Sequence, residues 1–291
     1  MPTRIWRVAF LLGAAWPLLI TADGLRPSMH EYGDVFVPSG LRQNPADATG
    51  GLLQAGRQAI GSGRVLDSLS GLVLVGERRF VTGLSAEPQR QGLEFGLFPP
   101  SGFLQTFRPT TPFFGQTGIA GTTIRGVAGE RFVARLVNPS PGEGLRRLPP
   151  AAEHEQVVKL QRFGTALLVS LLLSENTPIP IEYSHIGVAE SKDGSADVLE
   201  ARGAGGFALR LYLDKSTHRV LMMEPTVRLE VGGPQNAAER WRFSGYVSRS
   251  GLSLPKLILI DFNRQVGVEW EFSSVVVNPP KPHDLQTPET R

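Results

Sequence analysis

The chain contains no cysteine. That absence removes disulfide bonds, thiolate nucleophiles and cysteine-based metal sites together, and it excludes lipid attachment through an N-terminal cysteine. The five histidines, His30, His154, His185, His218 and His283, stand far apart, with no two at the short spacing that paired zinc donors adopt. The Gly-x-Ser-x-Gly turn that exposes a nucleophilic serine does not occur, and the glycines of Gly115-Gln-Thr-Gly-Ile-Ala-Gly121 lack the Lys-Ser/Thr ending of a phosphate loop. Charges are scattered singly, so no basic run offers a surface to nucleic acid. The doublets Arg78-Arg79 and Arg146-Arg147 are read as surface charge, though an arginine at a cavity rim would suit an anionic head group. Glu269 and Glu271, two apart on one strand face, read as its solvated side and not as an acid/base pair. Neither an enzyme, a metal site nor a cofactor is expected.

Long apolar runs are also missing downstream of the N-terminus. At the start, Arg4 and Arg7 precede an apolar stretch from Val8 to Ile20, interrupted by Gly13 and Pro17, and Ala22 precedes Asp23. This is the layout of a secretory signal, and at about 13 residues the stretch is well short of the ~20 needed to span a bilayer. Cleavage is expected after Ala22, leaving a protein in the periplasm. Loss of residues 1–22 removes two arginines and no acid from 30 basic and 27 acidic side chains, so the remaining chain carries a formal charge of +1. The sequence pI of 9.4 therefore overstates its basicity. With 41% hydrophobic residues and no covalent cross-link, stability must come from apolar burial.

What the sequence has in abundance is alternation. Residues 23–45 read as irregular. A short helix follows, with Leu52, Leu53, Ala55, Ala59 and Ile60 at helical spacing, ended by Gly61 and Gly63, and then a second turn over residues 64–69. Period-two segments are expected at 72–80, 93–98, 103–107, 118–127 and 131–137. One long helix then starts at Pro149-Pro150, with Glu153 and Glu155 near its positive end. Val157, Leu160, Gly164, Leu167, Leu168 and Leu171 form its stripe, and its last turns are apolar almost all round. Strands resume at 179–190, 196–202, 207–214, 220–231, 239–247, 255–262 and 266–277, close enough in sequence to pair as antiparallel hairpins. The reading is about 11 strands in a single domain, followed by an extended, loosely held tail over 281–291.

The helix end Gln58-Ala-Ile-Gly-Ser-Gly63, the Leu66-Asp-Ser-Leu69 that precedes a strand, and Phe207-Ala-Leu-Arg-Leu-Tyr-Leu-Asp214 with Thr217-His218 form a recognisable series with Gly251-Leu-Ser-Leu-Pro255 and Val275-Val-Val-Asn-Pro279. In their order they resemble bacterial outer-membrane lipoprotein-sorting proteins, which share the fold of the lipoprotein localization factor. The periplasmic sensor that restrains an anti-sigma factor uses the same fold. The resemblance covers residues 46–280. It implies a mainly β, α+β fold: one curled antiparallel sheet forming an incomplete barrel, with helices as a lid over an apolar cavity. It further implies a non-enzymatic carrier for acyl chains of lipoproteins or lipids, for which peripheral contact with a membrane is an expectation. The alternative is an envelope sensor or scaffold that binds a partner protein and has a filled core.

The candidate cavity residues are the one-faced aromatic and aliphatic positions of the strands together with the apolar end of the long helix. They are Phe95, Leu97, Phe103, Leu168, Leu172, Leu209, Leu211, Trp241, Phe243, Trp270 and Phe272. A curved sheet has one concave face and few helices to cover it, which is the geometry small-molecule sites use.

Overall fold

The alternating segments pair, in a computed structural model, into one antiparallel sheet of 13 strands. In chain order these are β1 (Gly40–Arg42), β2 (Leu72–Phe80), β3 (Gln89–Phe98), β4 (Gly102–Pro109), β5 (Thr122–Ala128), β6 (Arg131–Val137), β7 (Ile181–Ser191), β8 (Gly194–Gly203), β9 (Ala208–Asp214), β10 (Val220–Pro225), β11 (Glu239–Arg249), β12 (Leu252–Phe262) and β13 (Gln265–Val277). The helices are α1 (Thr49–Ile60), α2 (Gly63–Asp67) and α3 (Pro150–Leu172). The structure describes residues 40–42, 48–81, 89–109, 122–138, 148–192, 194–227, 229, 238–263 and 265–285. The expected secretory segment, the glycine loop at 115–121 and the Arg146-Arg147 pair lie outside these. Among the described residues no helix is long and apolar enough to cross a membrane.

The spatial order is β1-β7-β8-β9-β10-β11-β12-β13-β2-β3-β4-β5-β6. Two meanders, β2 to β6 and β7 to β12, are therefore joined through β13, which pairs with β12 on one side and β2 on the other. The ends of the order, β1 and β6, do not pair with each other, so the sheet remains an incomplete barrel. Twelve of the thirteen strands overlap the twelve period-two segments, and the one without a counterpart is β1. Three residues carry no readable period, and they become a strand only by pairing with β7, Gly40 opposite Glu190.

Alternation sorts each strand onto two faces. On β9, Leu209, Leu211 and Leu213 point to the core, while Arg210 and Tyr212 point away. The outer face is not simply wet. Glu200 sits opposite Arg210, Arg210 opposite Glu224, and Arg240 opposite Asp261, while Arg240 binds Glu224 at 2.6 Å. The result is a row of alternating charge across β8 to β12, in which opposite charges meet on neighbouring strands. Burial pushes the Asp261 carboxyl up, and the Arg242 guanidinium 2.7 Å away opposes the shift. Glu269 departs from its expected solvated position: it is only 5% exposed and bound by Arg79, whereas Glu271 is open to water and paired with Lys256.

α3 starts as its prolines require, with Pro149 as N-cap and Pro150 in the first turn, where a missing N–H costs nothing. From Phe163 to Leu173 every residue is buried. A helix surrounded on all sides has no outer face, so the sheet and α1 must enclose it.

As far as Leu285, the last described residue, the C-terminal segment is held by named contacts, unlike the loose tail expected from its prolines. The side-chain oxygen of Asn278 accepts from the Ser70 N–H at 2.7 Å, and its amide donates to the Ser68 carbonyl. Leu285, only 1% exposed, packs on the outer face against Phe98, Leu104 and Val133. Asp284 holds it there through Arg135 at 3.2 Å and through its own carbonyl, which accepts from Arg131 at 2.9 Å. Leu285→Ala is expected to cost about 2 kcal/mol, read as a lower urea midpoint.

The β9–β10 turn is built on one oxygen. Oδ1 of Asp214 accepts from the N–H and hydroxyl of Ser216, at 3.0 and 2.6 Å, and of Thr217, at 2.6 and 2.9 Å. Burial works to raise this carboxyl, but the four donors together hold it below the usual carboxylate range. A lowered native value means stability that is fully present above the unfolded value of about 3.9 and is lost as pH falls through the native one. Acid unfolding of Asp214→Asn should therefore depend less steeply on pH below about 4 than that of the unchanged protein, measured by urea titrations at stepped pH.

Candidate functional site

The concave face of the sheet is apolar, and one aromatic side chain of α3 occupies its centre. The Phe163 ring lies 5.6 Å from Phe95, 5.5 Å from Phe103, 5.5 Å from Trp241 and 5.9 Å from Trp270, all between ring centres. These rings touch one another as well: Trp270 stands edge-on to Phe95 and to Trp241, each at 4.9 Å. Tilted and edge-on pairs of this kind add about 0.5–1.5 kcal/mol each beyond the area they bury. Gly164 permits the approach, since a Cβ there would lie 3.2 Å from both Cβ and Cγ of Phe103.

Polar groups on this face are few. The indole N–H of Trp241 donates to Oε1 of Glu239 at 2.5 Å, and Oε2 of the same carboxylate accepts from the Leu229 N–H at 2.9 Å. Arg78 was expected at the surface, but it is 7% exposed and faces inward. Period two forces neighbours to opposite faces, so one arginine of the doublet had to share the side of Leu72 and Leu74. Its guanidinium lies 4.2 Å from the centre of the Phe80 ring and 5.1 Å from that of Phe107, a placement favoured by the negative ring faces.

The buried end of α3 is secured by α1. Leu173 closes the helix in the left-handed region, at φ 48° and ψ 41°, a conformation that costs a side-chain-bearing residue on the order of 1 kcal/mol. Its compensation is burial: the side chain is fully covered and lies where a Cβ on Gly56 of α1 would be. Beside this contact two surface clefts meet. One, of ≈ 260 Å³, is lined by Arg57, Asp67, Leu69, Leu172 and Glu175 among others, and the second, of ≈ 440 Å³, runs along α1 and α2. Arg57 binds Asp67 across the first at 3.7 Å. A third cleft, of ≈ 650 Å³, lies elsewhere, between the β5–β6 turn, Glu153 and the C-terminal segment.

All eleven residues singled out in the sequence fall into a single buried cluster: Phe95, Leu97, Phe103, Leu168, Leu172, Leu209, Leu211, Trp241, Phe243, Trp270 and Phe272. Within it they pack against each other and against α3. Of the eleven only Leu172 also borders a cleft named here. Sequence reasoning passed over the residue at the centre. Phe163 lies three positions after Leu160 and four before Leu167, so helical spacing alone places it on the stripe. It also passed over Glu239, Gly56 and Leu173, whose roles arise only from contacts between distant segments.

No family model matches the sequence, and no curated protein aligns with it. Solved structures do. A LolA superfamily protein from Nitrosomonas europaea is 12% identical, with 78% of this chain covering 92% of that one at a TM-score of 0.45. A domain named for outer membrane lipoprotein sorting, from Vibrio parahaemolyticus, is 12% identical over 80% of this chain and 93% of its own, at 0.43. A DUF1329 family protein from Desulfovibrio piger is 8% identical over 81% and 96%, at 0.41.

Phe163→Ala should destabilise the protein by about 3–5 kcal/mol, because the ring is enclosed by strands whose pairing prevents the gap from collapsing. A denaturant titration followed by tryptophan emission reads both the loss and the altered surroundings of Trp241 and Trp270.

Proposed function

We propose that the protein is a non-enzymatic carrier that holds acyl chains of a lipoprotein or lipid between the sheet and α3, in the periplasm after removal of residues 1–22. The observation that supports this most is the make-up of the concave face: an aromatic and aliphatic surface in which the main cover of the aromatic centre is one helix. Displacing α3 would uncover Phe95, Leu97, Phe103, Leu209, Leu211, Trp241, Phe243, Trp270 and Phe272 together as a trough. Leu168 and Leu172 would supply its moving wall. Burying one methylene returns about 0.8 kcal/mol, so a palmitoyl-length chain returns on the order of 10 kcal/mol. Taking a handful of large side chains out of their contacts costs about as much, at roughly 1.5–3 kcal/mol each. Loading is then a near-balanced exchange of apolar surface, which a carrier needs if it is also to release its cargo at a membrane.

A second reading is an envelope sensor or scaffold that binds a partner protein through a sheet edge or its N-terminal arm. The packing around Phe163 favours it, since five rings fill the centre of the face.

The lack of cysteine gives a clean test. Gly56→Cys combined with Leu173→Cys introduces a pair of thiols at the contact between α1 and α3. Binding of a fluorescent fatty acid should be present in the reduced double variant, lost on oxidation and restored by dithiothreitol. Probe binding absent from reduced and unchanged protein alike, together with native mass spectra showing only the bare chain, overturns the carrier reading in favour of the partner-binding one.

A further inference from the structure

Two tryptophans meet edge-to-face at the centre of the concave side, and the structure treats their N–H groups differently. The Trp241 N–H has a buried carboxylate of its own, Glu239, at 2.5 Å. The Trp270 N–H is equally buried, on a ring with no exposed surface, and has no hydrogen-bond partner among the described residues. Its ring neighbours are Phe95, Phe163 and Trp241, which offer only ring faces as weak acceptors. A buried donor left without an acceptor is costly and infrequent, and a phenylalanine in this position would have avoided that cost.

Of the three rings around Trp270, Phe163 is the one that α3 contributes. Withdrawal of α3 removes that ring and opens the indole to whatever enters. A saturated chain can lie along Phe95, Phe103 and Phe272, but it gives the N–H nothing. The strongest oxygen acceptor at the head of an ester-linked acyl chain is its carbonyl.

Building on the carrier reading, we propose that Trp270 Nε1–H is a ligand-binding donor that takes the ester carbonyl oxygen of an acylated cargo, the group that joins fatty chains to glycerol. Trp241, already bound to Glu239, supplies surface only. The consequence is selectivity: the site distinguishes an acyl ester from a plain hydrocarbon of equal length, and it sets the depth to which the chain enters.

The test compares methyl palmitate with octadecane as competitors of a fluorescent fatty acid on the full chain. One neutral hydrogen bond predicts that methyl palmitate competes about five-fold better. Trp270→Phe should equalise the two, whatever the loss of ring surface does to both together. Should that variant misfold, replacement of Trp270 by β-(3-benzothienyl)alanine removes the N–H and keeps the shape. Dipalmitoylphosphatidylglycerol and a dipalmitoylated lipopeptide separate a lipid source from a lipoprotein source by which of them competes. Whichever does should lose the same about five-fold in the variant, because both carry the ester. Equal competition by methyl palmitate and octadecane on unchanged protein overturns this inference and leaves the carrier reading intact. Failure of every competitor and of the probe overturns both.

Discussion

Phe163 reaches four rings on four different strands, and that reach requires the backbone of α3 to lie against the sheet. The closeness depends on Gly164 beside Phe103 and on the absence of any outer face on the second half of the helix. A helix enclosed in this way can contribute nothing to water, so its composition is dictated by the strands around it. The apolar end that looked excessive in sequence, Ala166 to Leu173, is what such an environment demands. The same closeness explains why Leu173 tolerates a left-handed backbone: the turn brings its side chain under α1, where it is covered completely.

Much of the sheet could be read from period two. β2 and β6 begin and end where alternation begins and ends, and the inward set on β9 is the one its odd-numbered leucines announce. α3 was equally plain, because prolines at its start and leucines along its stripe agree. What escaped had no local pattern to carry it. β1 is too short to show a period, and Leu285 is one apolar residue in a polar tail that gains its place from Asp284 and two arginines on β6. Arg78 was misplaced because a charge was assumed to face water, although the strand's own alternation put it inside. The membership of the apolar face was legible residue by residue. Its packing was not, since which rings meet depends on pairings such as Trp270 with Arg78, which joins strands far apart in the chain.

The two faces of the sheet use different physics. Inside, non-directional apolar contact tolerates an exchange of one greasy surface for another. Outside, the charged row from Glu200 to Asp261 fixes which residue lies opposite which, because a slip by one residue would set charges against apolar neighbours and move every inward leucine into water. Register is therefore held on the side away from the aromatic cluster. The inner surface is left free to change what it touches without loss of strand alignment.

The strand order also governs when the fold can exist. β13 lies between β12 and β2, two partners of which the second precedes it by roughly 200 residues. Until Gln265–Val277 has been synthesised, β2 to β6 and β7 to β12 are separate meanders, each with an open edge and an uncovered apolar side. Neither can shield Trp241 or Phe95 alone, and exposed edges of this kind invite pairing with other chains. The sheet is thus not completed until β13 has been made. Whatever meets the chain before then meets two sheets that are not yet joined.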